Sequence, residues 1–338
     1  AGSSGQVLTT DGTGTLTWAD SGSAYRHTLD NSSWSQVSAT LPGNLRYSQT
    51  AVIGDFVYLF GGWNGSYTNV IYRASTSDPT TWEDTGSTLP GNLGLSQTAV
   101  IGDFVYLFGG RTTGGSYTNV IYRASTSDPT IWEDTGSTLP GNLGYSQTAV
   151  IGDFVYLFGG RSGSATNVIY RASTSDPTTW EDTGSTLPSN LGESQLAVIG
   201  DSVYLFGGYN GSYTNVIYRA STSDPTTWEN TGSTLPGNLG ISQTAVIGDF
   251  VYLCGGWNGS SNTNVIYRAP VSDPTTWTNT GHTLPTSFRN SQAAIIDDRL
   301  YLFGGFTGLR HRRHLHRQHQ LLHRLQRHRH HPRQHAHR

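Results

Sequence analysis

The side chains with the most chemical capacity stand at two places in a fragment that recurs along the chain. After the Gly-Gly pairs come Trp63, Arg111, Arg161, Tyr209, Trp257 and Phe306. The stretch before each Ser-Gln pair supplies Tyr47, Leu95, Tyr145, Glu193, Ile241 and Arg289. Aromatic faces can stack on sugar rings, and an arginine offers a planar fork of donors to a carboxylate or a pair of hydroxyls. Each charged hydrogen bond of that kind contributes about 1.5 to 3 kcal/mol when desolvated. A ring of aromatics with a few arginines on loops is the composition of a recognition surface. Drift of copies at positions the fold leaves free is the competing explanation.

Catalytic readings are thin. A copper site needs imidazole ligands, and outside the last thirty residues the only histidines are His27 and His282. No cofactor and no metal are expected. Glu193 with Arg111 or Arg161 is the one acid-base constellation on the variable positions, and a sugar mutarotase or epimerase would have to be built on it.

The elements that must carry these residues come from a block of about fifty residues written out five times. SQTAVIGDFVYLFGG ends at Gly62 and recurs, with small changes, ending at Gly110, Gly160, Gly208, Gly256 and Gly305. Periods of this size belong to propellers and solenoids. Within a block, Gln49 to Ile53 and Phe56 to Phe60 read as strands a and b around the hairpin dipeptide Gly54-Asp55. Asn69 to Ala74 reads as strand c, Ser77-Asp78-Pro79-Thr80 as a turn, and Trp82 to Thr85 as the opening of strand d. Strands a and b are apolar on both faces, as expected of a sheet lying between two neighbours. In an antiparallel four-stranded unit the b-c and d-a connections emerge together, so both variable stretches are expected on one face.

The Gly-Gly after strand b, a Tyr in strand c and a Trp beyond it recur in register: Tyr72 with Trp82, Tyr122 with Trp132, Tyr170 with Trp180, Tyr218 with Trp228, Tyr267 with Trp277. This pattern resembles the kelch repeat over roughly residues 25–305. The resemblance implies an all-β propeller of four-stranded antiparallel blades, a scaffold that serves mostly in binding. Five blocks are complete. Tyr25 to Leu45 matches only strands c and d, and Ser291 to Gly305 only a and b. The expectation is a six-bladed, kelch-like propeller over 23–308, closed by N-terminal strands c and d pairing with C-terminal strands a and b, which would cover the open sheet edges.

Two flanks are set apart. Residues 1–22 form a Gly/Thr/Ser-rich linker with a hairpin at Thr10-Asp11-Gly12. This segment is similar to one in phage tail fibres and bacterial surface proteins, which implies a larger fibrous or oligomeric parent and a virion or cell-surface location, with the cytoplasm as the alternative. The absence of Met suggests a piece of something longer. Residues 309–338 hold nine Arg and ten His, and all but Ala336 are amino acids encoded by codons beginning with C. Shifted by one nucleotide, each residue admits a small set of others, and Leu309 to Gln320 can be read as SATDVIYTASTS, which agrees at ten of twelve positions with Ser164 to Ser175. The tail reads as an out-of-frame copy of strands c and d.

The chain carries net charge −3 with no Lys, but nine of its arginines lie in that tail, leaving 11 Arg against 23 acids before it. An acidic body argues against a nucleic-acid partner, and no run is apolar enough for membrane insertion. Cys254 stands where other copies have Phe60 or Phe108, which predicts a buried, inert thiol. Asp78 and its copies should cap backbone amides in turns, and Arg73 should pair with Glu83 or Asp84. The function expected is a non-catalytic recognition module that takes a surface glycan at a fibre tip, or alternatively a protein ligand.

Overall fold

The computed structural model describes residues 6–10, 16–20, 34–37, 40–297 and 299–308, of which 6–10 and 16–20 are described by backbone alone. The chain separates into a unit of residues 1–307 and a second unit, 308–338. All described strands lie in the first unit, and the expected out-of-frame tail, 309–338, lies outside the described residues. Near the N-terminus, β1 (Gln6–Thr10) and β2 (Leu16–Asp20) pair antiparallel, Thr10 lying in the strand opposite Leu16, and the expected turn at Asp11-Gly12 lies outside the described residues.

The first repeat folds as β3 (Gln49–Ile53), β4 (Phe56–Trp63), β5 (Tyr67–Ser75) and β6 (Asp78–Thr88) in simple meander order. Ile53 opposite Phe56 leaves Gly54-Asp55 as a two-residue loop, with Gly54 at φ 57°. Glycine at the first central position is what such a tight hairpin demands. Strands c and d run longer than the sequence predicts. Ser75 pairs with Asp78, so Asp78 and Pro79 enter the sheet behind a Thr76-Ser77 loop. In the second and fifth repeats that turn stays irregular, and the fourth strand begins only at Trp132 or Thr278.

Five four-stranded antiparallel sheets follow one another, and a two-stranded sheet, Gln292–Ile296 with Arg299–Phe303, comes last. Five complete four-stranded blades thus stand among the described residues, where six were expected. Among the described residues Arg299–Phe303 pairs with no third strand, and residues 21–33 and 38–39 of the segment expected to add strands c and d lie outside them. The innermost strands nevertheless contact one another in a closed circuit, Gln292–Ile296 touching both β3 and Gln243–Ile247.

Each sheet packs face to face on the next through one repeated set of side chains. Phe60, Leu89 and Leu93 meet Val105, Leu107 and Trp132 of the following repeat, and Trp132 lies edge-on to Phe60 at 4.8 Å. Trp180 on Phe108, Trp228 on Phe158, Trp277 on Phe206 and Trp82 on Phe303 repeat that contact at 4.8 to 5.0 Å. Such edge-to-face pairs contribute about 0.5 to 1.5 kcal/mol beyond their buried area. Cys254 is buried as expected, and burial pushes its thiol up to about 12. Strand a departs from the expected two-faced burial. Val52, Val100, Val150, Val198, Val246 and Ile295 are 39 to 45% exposed, since the innermost strands have no neighbour on the axial side.

The repeated glycines separate two physical demands. Gly54 and Gly61 both have φ near +57°, but a Cβ on Gly54 would meet nothing within 4 Å, whereas one on Gly61 would stand 2.2 Å from the Leu93 carbonyl oxygen. Gly54→Ala is therefore expected to cost about 1 kcal/mol of strain and Gly61→Ala about 3 kcal/mol or more. Urea unfolding of the two variants tests this, and equal losses would remove the close-approach argument.

Candidate functional site

The d-a connections build the floor of the site. Tyr47, Leu95, Tyr145, Glu193, Ile241 and Asn290 all have φ between 55° and 61°, in the left-handed region that non-glycine residues rarely adopt. Each donates its backbone N–H to the carbonyl of its counterpart one repeat earlier: Leu95 to Tyr47, Tyr145 to Leu95, Glu193 to Tyr145, Ile241 to Glu193, Asn290 to Ile241, and Tyr47 to Asn290. The six bonds, 2.9 to 3.4 Å long, form a closed ring. The position in that ring assigned to Arg289 by sequence belongs to Asn290. Arg289 stands one residue earlier, bridged to Phe306, as Arg46 is to Trp63.

Glu193 is the buried charge of the site, 4% exposed. Its carboxylate accepts from the Arg161 Nη1 at 2.6 Å and from the Tyr213 hydroxyl at 2.6 Å, so both oxygens are engaged. Burial alone would lower the Arg161 pKa, but the hydrogen bond and charge of Glu193 overcome it and hold the guanidinium above its usual value. Arg111 donates through Nε to the Gly115 carbonyl at 2.6 Å and lies 5.4 Å from the Tyr117 ring centre, with no carboxylate partner among the described residues. Arg111, Tyr117, Tyr145, Arg161 and Glu193 line one open cavity of about 530 Å³. A second cavity of about 140 Å³ lies on the axis, lined by the ring residues and by Gln49, Gln97, Gln147, Gln195, Gln243 and Gln292.

Of the twelve residues singled out by sequence, all but Leu95 and Ile241 fall within one connected set of side-chain contacts, Arg111 joining it through Tyr67, which meets Trp63. Arg161 lies over Tyr209 at 4.9 Å, Tyr209 meets Tyr213, and Tyr213 meets Trp257. Arg289 covers Trp257 at 4.2 Å and approaches Phe306 at 5.4 Å. Arg46 reaches Phe306, Tyr47 and Trp63, and Tyr47 is edge-on to Tyr145 at 6.2 Å. Sequence reasoning missed Arg46, Asn290 and the strand-c tyrosines Tyr67, Tyr117 and Tyr213. Arg46 had a visible signal, because four of the other copies carry glycine at its position: Gly94, Gly144, Gly192 and Gly240.

Elsewhere the repeated polar groups have structural roles. Asp78 accepts from the Thr80 amide and hydroxyl, which holds its carboxyl below the usual range, and Arg73 pairs with Glu83 at 2.5 Å. Asp84 instead caps the Gly86 amide. Among the described residues no group of three or more His, Cys, Asp or Glu converges on a point.

Burial raises the hydroxyls of Tyr67, Tyr117, Tyr145 and Tyr213, with Glu193 the second cause at Tyr213. A raised folded-state pKa favours the protonated form, so this contribution is whole below the unfolded value near 10 and is lost as pH rises above it. Alkaline unfolding is expected to begin above about pH 10. Glu193→Gln should cost about 1 to 3 kcal/mol by leaving the Arg161 guanidinium short of its charged acceptor while lowering the Tyr213 pKa. Ultraviolet titration with thermal melts tests both, and an unmoved Tyr213 would contradict the assigned coupling.

Residues 144–326, more than half of the chain, match the family model of the KLHDC2/KLHL20/DRC7 Kelch-repeats domain. No curated protein matches the sequence. With five four-stranded antiparallel blades on a closed inner ring and this match, the chain belongs to the Kelch-repeat family of β-propellers.

Proposed function

We propose that this chain is a non-catalytic recognition module that binds a protein partner on the face carrying the b-c and d-a loops. Kelch propellers are typically protein-interaction modules, and the cavity beside Arg111 and Arg161 supports that reading here. The observation that carries it is Arg111, a guanidinium anchored through Nε at the rim of a 530 Å³ cavity with no carboxylate partner among the described residues. Ring positions held in a left-handed backbone by Tyr, Leu, Glu and Ile point the same way, since glycine would sit there without strain. Glu193 is committed to Arg161 and Tyr213, which favours a structural carboxylate over the base of a mutarotase.

A surface glycan, displayed from a tail fibre or bacterial surface protein, is the second reading. It is favoured by Trp63, Tyr209 and Trp257 being half-exposed on the same side. Against it, Trp63 and Trp257 already have Arg46 and Arg289 against their rings, which leaves less aromatic face for a sugar. Selection from a random peptide library and a glycan array, each repeated with Arg111→Ala/Arg161→Ala, separate the two. Peptides whose binding falls at least tenfold in the variant support the first reading, glycans alone support the second, and silence in both sinks the recognition site.

The reading includes a sixth blade completed by the N-terminal segment. Leu45 accepts from the Gly305 amide at 2.8 Å, as Leu93 does from Gly62, and Trp34 joins the cluster around Cys254, the position that Phe60 holds against Trp132. Trp34→Ala should then cost about 2 to 4 kcal/mol, comparable to Trp82→Ala, in urea unfolding. A loss below about 0.5 kcal/mol, the scale of an unconstrained surface substitution, would leave the segment without that role.

A further inference from the structure

We propose that Arg46 and Arg289 together form an oxyanion-binding site of the phosphate type, across the axis from the Arg111 cavity and independent of it. Both arginines occupy the position before the ring residue, where the four intervening copies have glycine. At Gly94, Gly144 and Gly240 an added Cβ would stand 2.8 to 3.0 Å from the ring of Tyr67, Tyr117 or Tyr213. The fifth repeat has Asn262 in place of that tyrosine, and no such tyrosine precedes Arg46 among the described residues. Long side chains stand only where the tyrosine ring is missing.

These two guanidinium groups share one aromatic ring. The Arg46 Cζ lies 4.6 Å and the Arg289 Cζ 5.4 Å from the centre of Phe306, with Trp63 and Trp257 as flanking rings. The charges therefore stand within about 10 Å of each other, no farther than one screening length in 0.1 M salt. Neither has an ion pair with a described residue; the one carboxylate on this face, Glu193, is taken by Arg161.

The same place concentrates unpartnered buried polar atoms. Three donors, Nε of Arg46, Nε of Arg289 and Nδ2 of Asn290, lack a hydrogen-bond partner, as do the acceptor oxygens Oδ1 of Asn262 and Asn290, which an anion does not serve; Asn290 is only 4% exposed. Buried donors without partners are costly, and two like charges with spare N–H groups raise that cost further. An anion with three or more acceptor oxygens answers both demands at once. Arginine forks match such an oxyanion geometrically, and three part-exposed aromatic rings, Trp63, Trp257 and Phe306, flank the site. The anion could be free or carried as an ester, and the two are told apart by whether the aromatic rings add affinity.

Isothermal titration of the whole chain with inorganic phosphate and with phenyl phosphate, in low-chloride buffer, tests the site. Saturable binding is expected, weakened at least tenfold by Arg289→Gln and by Arg46→Gln and unchanged by Arg111→Gln. Tighter binding of phenyl phosphate identifies an ester ligand, and tighter binding of inorganic phosphate a free ion. Arg46→Lys and Arg289→Lys, which keep the charge, guard against misfolding and should retain part of the affinity. Absence of saturation, or an equal loss in Arg111→Gln, would overturn the proposal.

Discussion

The closed ring of six backbone hydrogen bonds around the axis is the constraint on which the rest depends. Each donor sits at φ near +60°, including Ile241, whose β-branched side chain is poorly suited to that region. Strain of this kind, about 1 to 3 kcal/mol per residue, persists only where surroundings over-determine it. Here the surroundings are the buried serine that follows each ring residue, Ser48 through Ser291, and the Gly-Gly that lets the preceding carbonyl approach. The ring closes only because Tyr47 donates to Asn290, which brings the two ends of the repeat array together.

A ring that fixes the backbone leaves the side chains at its vertices free of backbone duty. Their identity is limited by space contributed from the neighbouring repeat. Where strand c brings Tyr67, Tyr117 or Tyr213, the residue before the vertex is glycine; in the third repeat, with Ala165, the Arg161 stem fills the same room, its Cγ 2.9 Å from where a Cβ on Gly192 would stand. An arginine before the vertex and a tyrosine in the strand c preceding it thus do not occur together, and polar character is distributed unevenly around the ring. The acids follow the opposite logic. Asp55, Asp78 and their copies lie in the a-b and c-d turns, where short carboxylates satisfy amides, so the loop face is left with four arginines and Glu193 in an otherwise acidic body.

Fold class, strand order and the grouping of the variable positions were legible because near-identical copies hold constant what packing needs: Phe60 against Trp132, Leu89 and Leu93 beneath them. At the seam, counting back from Ser291 lands on Asn290, the ring residue, with Arg289 one position earlier. The strand-c tyrosines were hidden. They fall in strand c rather than in the stretches that vary most, yet Tyr117 and Tyr213 are half-exposed at the loop face, because the Gly-Gly bulge turns the end of β5 and its copies toward it. The entry of Asp78-Pro79 into the sheet escaped because proline signals a turn, and here it falls at the edge strand, where its missing N–H costs nothing.

The fifth sheet shows how the array tolerates change without losing closure. Cys254 replaces the phenylalanine that every other copy places under a tryptophan, and taken alone this leaves a void the size of a ring. In the same cluster Phe288 replaces the leucine found as Leu93, Leu143, Leu191 and Leu239, adding back most of that volume beside Leu284 and Trp34. Cores accept such paired changes when total volume is kept, and a cavity left unfilled would cost about 24 cal/mol per Å³. The compensation falls at the joint between the fifth sheet and the closing one, so that interface is refilled where Trp34, rather than a tryptophan of a complete repeat, supplies the covering ring.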